Sequence, residues 1–256
     1  MATTKVFLFS PFRLTLLILL LAFSSFSSAV SNVSNDSFSK AKKMLEKEVY
    51  FDHRETIYCA ASFDSKKRIT APAGFYTNKY EKRAKKVEWE HVVPAENFGR
   101  TFVEWREGNT SCVNSKGKTF KGRRCAEKIN TEYRHMQADM FNLYPAIGAV
   151  NALRSNYNFT MLSGKQSDFG SCKMKIENRK AEPPEIARGQ IARTYLYMEQ
   201  TYPRYKMSNS QRKLMIAWST QHPVSAWECT RARRIGELQK NRNLVVEELC
   251  AQIKQD

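Results

Sequence analysis

Several residue types are scarce in this 256-residue chain. Its 10 glycines and 8 prolines are too few for a collagen-like or low-complexity protein. The 42% of hydrophobic residues is enough to build a core, which excludes wholesale disorder. Acidic residues are also scarce, because 25 Asp and Glu stand against 42 Lys and Arg, so the formal net charge is +17. No internal repeat and no Pro/Gly-rich linker is present, which favours a single domain.

The excess of positive charge indicates a polyanionic partner, with nucleic acid first, then an acidic membrane surface or an acidic polysaccharide. Charge alone does not choose among these three. The basic residues are scattered along the chain rather than gathered on one amphipathic helix, which argues against a membrane-active protein.

Long apolar runs are nearly absent, and the one present lies in residues 1–29. Lys5 and Arg13 precede the run 14–23, and small residues follow up to Ala29. This order is typical of a secretory signal peptide, and the run is shorter than the roughly 20 residues that a transmembrane helix needs. We therefore predict cleavage near Ala29, a periplasmic or secreted protein, and no membrane contact in the mature form.

The rest of the chain predicts a flexible lead-in over residues 30–38, which are rich in Ser and Asn, followed by one folded domain over 39–256. Apolar residues at helical spacing predict a helix near 39–50. Ser225 and Glu228 have the spacing of a capping box at the start of a later helix. We expect an α+β domain with short strands and a helical C-terminal third.

The six cysteines include no C-x-x-C pair, and no paired histidines accompany them, which argues against a zinc site. An even number in an exported chain indicates three disulfides, although six cysteines allow several connectivities. Proximity along the chain favours two local bridges and leaves a third between distant segments: Cys112–Cys125, Cys229–Cys250 and Cys59–Cys172.

Only four histidines are present, and His91 is distinguished by its neighbour Glu90 and by the strand-like residues Val92 and Val93. Consecutive side chains of a strand point to opposite faces, so Glu90 and His91 could reach opposite sides of one phosphate. A carboxylate that binds a metal and an imidazole that takes a proton from water are what phosphodiester hydrolysis requires. The alternative is an ordinary exposed pair at the end of a strand.

A second cluster, residues 142–159, contains four Asn and one Arg. Amide oxygens such as that of Asn151 can bind hard cations like Mg²⁺. The alternative is an Asn-rich loop with turn chemistry. Arg154 lies three residues after Asn151, so on a helix it would share a face with it and either contact phosphate or form a structural salt bridge.

Four segments in order along the chain resemble the bacterial endonuclease I family. They are WEHVVPAENFGR (89–100), NLYPAIGAVNALRSNYNF (142–159), PPEIARGQIARTYLYM (183–198) and WECTRARRI (227–235). Members of this family are periplasmic or secreted non-specific nucleases with a ββα-metal (His-Me finger) site. The resemblance extends from about residue 40 to about residue 250.

The resemblance implies roles for individual residues. His91 would be the general base, Glu90 and Asn151 would hold Mg²⁺, with Mn²⁺ as the alternative cation, and Arg123 would contact the phosphate. The expected activity is cleavage of DNA, and also of RNA, to 5′-phosphate ends by a monomer. Further nucleic-acid contacts are expected from Arg124, Lys121 and Arg154.

The sequence departs from the family pattern at four positions. Ala152 and Leu153 stand where the family commonly has Gly-Asp, Gln137 where it commonly has Glu, and Phe141 where it commonly has His. Because groups behind the ligands orient them, these departures would affect rate or metal preference. They also leave open an exported basic protein that binds DNA or another polyanion without cleaving it.

Overall fold

The structure is a computed structural model, and it describes residues 1–3 and 31–253. The predicted signal peptide covers residues 1–29, of which 4–29 lie outside the described residues. Within the ranges that the structure describes, no helix is both long and apolar enough to cross a bilayer.

Residues 31–253 form a mixture of helices and short strands. The α-helices are α1 (Phe38–Met44), α2 (Glu81–Ala84), α3 (Ala95–Gly99), α4 (Val103–Arg106), α5 (Arg123–Ile129), α6 (Thr131–Gln137), α7 (Gly148–Arg154), α8 (Glu185–Thr201), α9 (Asn209–Gln221), α10 (Ala226–Gln239) and α11 (Leu244–Ile253). The strands are β1 (Ser62–Phe63), β2 (Ile69–Thr70), β3 (Val87–His91), β4 (Leu143–Ile147), β5 (Asn158–Phe159), β6 (Lys175–Glu177) and β7 (Lys180–Glu182). The predicted α+β class and the helical C-terminal third are confirmed.

The strands β3 and β4 pair antiparallel, and α7 follows β4 without a connecting loop. In this register, Glu90 lies opposite Tyr144 and His91 lies opposite Leu143. The other sheets are the hairpin β1–β2 and the three-stranded β5–β7–β6. The unit β3–β4–α7 thus brings the histidine motif and the Asn-rich segment together.

Gly148 lets α7 begin directly at the end of β4. A Cβ atom at this position would lie 2.5 Å from the carbonyl oxygen of Arg83 and 2.9 Å from Oε1 of Glu88. Any other residue would therefore push α7 away from β3, because backbone and a paired carboxylate occupy that space.

The core lies between this unit and the C-terminal helices. Hydroxyl groups of Thr194 in α8 and Tyr144 in β4 are 3.1 Å apart, and the rings of Tyr195 and Phe159 meet edge to face. Thr194 and Tyr195 are buried, as is Ile191 one turn earlier. The long helix α8 therefore supports the strand pair from behind.

Residues 31–37 differ from the predicted flexible lead-in. The side chain of Asn32 donates to the carbonyl oxygens of Asn35 at 2.7 Å and His135 at 2.9 Å, and Asn32 is 1% exposed. Oγ of Ser34 donates to the carbonyl oxygen of Gln239, and Ser37 caps α1. The polar composition that suggested a loop instead satisfies buried backbone groups. A turn of π-helix, Leu45–Val49, continues α1, close to the predicted helix.

The three disulfides pair as proximity favoured, and that prediction is confirmed. They are Cys59–Cys172, Cys112–Cys125 and Cys229–Cys250. The first joins positions 113 residues apart, whereas the others close loops of 13 and 21 residues. Only the first bridge therefore holds distant segments of the domain together.

Candidate active site

Four of the predicted site residues line one cleft of about 360 Å³. Glu90 and His91 come from the end of β3, Asn151 from α7, and Arg123 from the first position of α5. The remaining lining residues are Phe38, Trp89, Pro94, Ala95, Glu96, Trp105, Ser155 and Asn156. Residues 60 positions apart in the chain are thus assembled around a single space.

His91 is held in one tautomer by the end of α6. Its Nε2 lies 2.9 Å from the carbonyl oxygen of Gln137, and the side chain is nearly buried. Because a carbonyl oxygen only accepts, Nε2 carries the ring hydrogen, which leaves Nδ1 as the nitrogen with a free lone pair. Burial, reinforced by the nearby Arg123 guanidinium, lowers the pKa of His91 to about 3. The imidazole is therefore neutral near pH 7 and able to take a proton.

Glu90 has one carboxylate oxygen fixed by the protein. Oε1 accepts hydrogen bonds from the Tyr58 hydroxyl at 2.7 Å and from Nη1 of Arg154 at 2.6 Å. None of the described residues donates a hydrogen bond to Oε2. Burial raises the pKa of the Glu90 carboxyl, whereas Arg154 and Tyr58 oppose that shift. The carboxylate is thus oriented through one oxygen, and the other stays available to a cation.

Arg154 does not reach the cleft, which corrects the expectation that it contacts nucleic acid. Its side chain is fully buried and donates to the backbone carbonyls of His91 at 2.8 Å and Val92 at 2.6 Å as well as to Glu90. Burial works against its charge, but the Glu90 carboxylate together with Tyr58 and Tyr195 outweighs this effect, and the pKa of Arg154 is raised. The structural salt bridge is the arrangement observed, so Arg154 holds the end of β3 from behind.

Asn151 is oriented by a carboxylate from the neighbouring strand. Its Nδ2 donates to Oε2 of Glu88 at 3.0 Å, and Glu88 is itself held by Nε and Nη2 of Arg83 at 2.7 and 2.5 Å. A paired carboxylate accepts hydrogen bonds, so the amide nitrogen must face Glu88. The amide oxygen of Asn151 is therefore left for a ligand in the cleft.

These two oxygen donors fit a magnesium ion. Among the residues that the structure describes, no group of three or more His, Cys, Asp or Glu side chains forms a closed cage for a metal. Mg²⁺ prefers oxygen ligands and usually keeps several waters, so one carboxylate and one amide oxygen facing a cleft form a suitable partial set.

The three basic residues of the α5 region point in different directions. Arg123 lines the cleft, and its Nε donates to Oε1 of Gln137 at 2.9 Å. Arg124 stacks over the Phe120 ring at 4.9 Å, and Lys121 lines a separate cavity. Successive positions of a helix are rotated by about 100°, and Arg123 lines this cleft whereas Arg124 does not. The structure therefore does not bring Arg124 and Lys121 into the cleft that the other predicted site residues line.

Gln137, one of the departures from the family pattern, has two connections to the site. Its backbone carbonyl fixes His91, while its side-chain oxygen accepts from Arg123 and from the Tyr133 hydroxyl at 3.0 Å. Its Nε2 donates to Oε1 of Glu127 at 3.1 Å. An amide suits this position, because it accepts from Arg123 and donates to Glu127 at the same time.

The other departures lie away from the cleft. Phe141 is buried against the Tyr197 ring, at 4.9 Å between centroids. Ala152 and Leu153 are not among the residues that line the cleft, although they neighbour Asn151 in α7.

Three contributors were missed by sequence reasoning. Glu88 could have been found, because it lies two residues before Glu90 and shares its face of β3. Tyr58 and Phe38 come from distant segments and carry no signal in the sequence. The Phe38 ring lies 4.9 Å from the His91 ring and 5.3 Å from the Arg123 guanidinium.

Comparison with known proteins identifies the family. The family model described as Endonuclease I matches residues 30–250. The chain therefore belongs to the endonuclease I family and is a nuclease. The predicted resemblance is confirmed.

Three curated relatives cover most of the chain. An extracellular deoxyribonuclease of Aeromonas hydrophila is 40% identical over 84% of this chain and 90% of its own length. A periplasmic deoxyribonuclease of the same organism is 39% identical over 84% of this chain and 86% of its own. Endonuclease-1 of Buchnera aphidicola subsp. Acyrthosiphon pisum (strain APS) is 34% identical over 84% of this chain and 82% of its own.

Proposed function

We propose that this nuclease is a metal-dependent endonuclease that cleaves DNA without sequence specificity, leaves 5′-phosphate ends and also accepts RNA. The observation that carries the proposal is the cleft in which His91, with Nδ1 as its free nitrogen, lies beside Glu90, Asn151 and Arg123. The names of the relatives, deoxyribonuclease and endonuclease, support DNA as the substrate.

Each of these residues has its own role in the proposed reaction. Nδ1 of the neutral His91 takes a proton from the water that attacks phosphorus, while Nε2 keeps its hydrogen on Gln137. Arg123 contacts a non-bridging oxygen of the scissile phosphate and stabilises its growing negative charge. Glu90 and Asn151 would hold Mg²⁺, or Mn²⁺ in its place. When bound, the ion supplies positive charge at the scissile phosphate and at the departing 3′-oxygen.

Sequence-independent cleavage follows from the contacts proposed. Arg123 and the metal ligands face a phosphate rather than base edges, and phosphate contacts carry no sequence information. A phosphate-centred site also has no need to read the 2′-hydroxyl, which is why RNA is included.

We also propose that β3, β4 and α7 are the ββα-metal (His-Me finger) core of the family, since β3 carries Glu90 and His91, β4 pairs with β3, and α7 carries Asn151. The protein would act as an exported monomer, periplasmic or secreted, after cleavage of residues 1–29 near Ala29. Three disulfides and the extracellular and periplasmic relatives support export.

The test compares the wild-type protein, His91→Ala and the control His135→Ala on supercoiled plasmid, each with Mg²⁺ and with EDTA. We expect the wild type and His135→Ala to nick and then degrade the plasmid only with metal. His91→Ala should bind the plasmid but cut it at least about 100-fold more slowly, since general base catalysis supplies 10²–10⁴-fold.

Two outcomes would contradict this proposal. Binding without cutting by the wild type would indicate an exported polyanion-binding protein instead. Cutting that survives His91→Ala would place the chemistry on other residues.

A further inference from the structure

The cleft with the candidate catalytic residues continues into a second cavity. This neighbouring cavity has a volume of about 460 Å³ and shares Phe38, Trp89 and Asn151 with the first. A ligand bound against His91 and Asn151 can therefore extend past the Trp89 and Phe38 rings without leaving the protein surface.

The walls of the second cavity are basic. Lys42 and Lys43 of α1 line it together with Lys67. Its two carboxylates already have cationic partners, because Glu46 pairs with Lys67 at 2.9 Å and Glu88 pairs with Arg83 at 2.5 Å. Lys42 and Lys43 form no salt bridge with the described residues, so their charges are not neutralised.

The geometry of α1 places these charges beside the catalytic cleft. Phe38 and Lys42 are four residues apart and share one face of the helix, with Nζ of Lys42 4.4 Å from the centre of the Phe38 ring. The same ring packs on His91 and lies under Arg123. Lys42 is therefore separated from the imidazole by one aromatic ring.

We propose that α1 forms a phosphate-binding wall in which Lys42 and Lys43 contact phosphates of the strand that is cut, next to the scissile phosphate. The substrate is a nucleic-acid strand, so this inference rests on the proposed function. Lysines of this kind contact phosphates as point charges and add affinity without adding sequence preference. They would bind the strand on one side of the scissile bond, while Arg123 contacts the scissile phosphate.

The test measures binding of a labelled DNA duplex to the full-length mature protein in EDTA over a series of salt concentrations. The test variant is Lys42→Gln/Lys43→Gln, and the matched control is Lys47→Gln/Lys213→Gln, two exposed lysines that line neither cavity. Each pair removes two charges. Lys42→Arg/Lys43→Arg restores the charge, and thermal unfolding monitors folding of every variant.

Loss of two phosphate contacts should make the plot of log K against log salt shallower by about 1.8 and weaken binding more than about tenfold in ~0.1 M salt. The arginine pair should keep the wild-type slope. An unchanged slope, or an equal loss of slope in the control pair, would contradict the proposal that Lys42 and Lys43 form a phosphate-binding wall. If the double variant does not fold, Lys43→Gln alone should lower the slope by about 0.9, because Lys43 is exposed and makes no salt bridge.

Binding and cutting are scored separately. A protein that binds through Lys42 and Lys43 but cuts nothing would defeat the proposed function and leave the wall intact. A protein that cuts DNA with metal, but whose DNA binding is unchanged by Lys42→Gln/Lys43→Gln, would support the proposed function and contradict the phosphate-binding wall.

Discussion

Gln137 positions His91 and Arg123 through different parts of one residue. Its carbonyl oxygen lies 2.9 Å from Nε2 of His91, and its side-chain oxygen lies 2.9 Å from Nε of Arg123. The proposed base and the proposed phosphate contact are thus tied to the same point at the end of α6. A substitution can release Arg123 while the backbone contact to His91 remains.

The variant Gln137→Leu should therefore cut DNA more slowly, because the Arg123 side chain loses its hydrogen-bond acceptor. Its free energy of unfolding should also fall by about 1–3 kcal/mol, because the buried Tyr133 hydroxyl loses its acceptor. Plasmid cutting and urea unfolding measure the two effects. In an Arg123→Ala background, Gln137→Leu should reduce cutting little further, since the anchored group is already gone. Fully additive losses in cutting would show that Gln137 acts independently of Arg123.

Arg154→Met should reduce the free energy of unfolding by about 3–5 kcal/mol, because it leaves the Glu90 carboxylate buried without its counter-charge. Urea unfolding measures the loss. Adding Glu90→Gln to Arg154→Met should recover part of it. If Arg154 instead contacts nucleic acid, Arg154→Met would weaken DNA binding and leave the unfolding curve unchanged.

Glu88→Ala should raise the Mg²⁺ concentration needed for half-maximal cutting by about 10–100-fold, because the Asn151 amide is no longer oriented. Glu88→Gln retains an oxygen that can accept from Asn151, so it should restore most of the metal affinity. Glu81→Ala, an exposed carboxylate that lines neither cavity, is the control. The same metal dependence in Glu88→Ala and wild type would exclude this role.

Replacement of both Cys59 and Cys172 by Ala should cost about 5 kcal/mol of stability, against about 3 kcal/mol for Cys112 and Cys125, because the closed loops span 113 and 13 residues. The first pair should also lose more activity, since Tyr58 adjoins Cys59 and holds Glu90. Urea unfolding and plasmid cutting of both double variants test this order. Full activity of folded protein with all six thiols reduced would show that the bridges do not shape the cleft.

The sequence motifs were sufficient to indicate which residues meet in the cleft, but not which residues support them. Glu90 and His91 belong to a segment whose local pattern predicts a strand end, whereas composition left residues 142–159 open as an Asn-rich loop, and the family resemblance supplied the role of Asn151. The local spacing of Asn151 and Arg154 predicts only that they share a face if the segment is helical. Arg154 shared that local pattern, yet its burial depends on Glu90 and on α8, which local spacing does not contain.

The N-terminal residues 31–37 differ from the predicted lead-in for a similar reason. A run of Ser and Asn has the composition of a loop, and only the folded partners show that Asn32 is buried. Its partners are the backbone carbonyl of His135 and the hydroxyl of Tyr202, which lies 170 residues away from Asn32 in the chain. Long-range hydrogen bonds of this kind leave no periodicity in the sequence.

The residues on both sides of α1 are held by α10, which lies near the other end of the chain. Nε of Arg231 donates to the Tyr50 hydroxyl at 2.8 Å, Arg234 donates to the carbonyl of Val49, and Gln239 accepts from Ser34. The first wall of the cleft to leave the ribosome is thus held by one of the last helices. A growing chain that has not yet reached α10 already carries Phe38, His91 and Asn151 but lacks these contacts, so the flanks of α1 gain them only after most of the chain has been made.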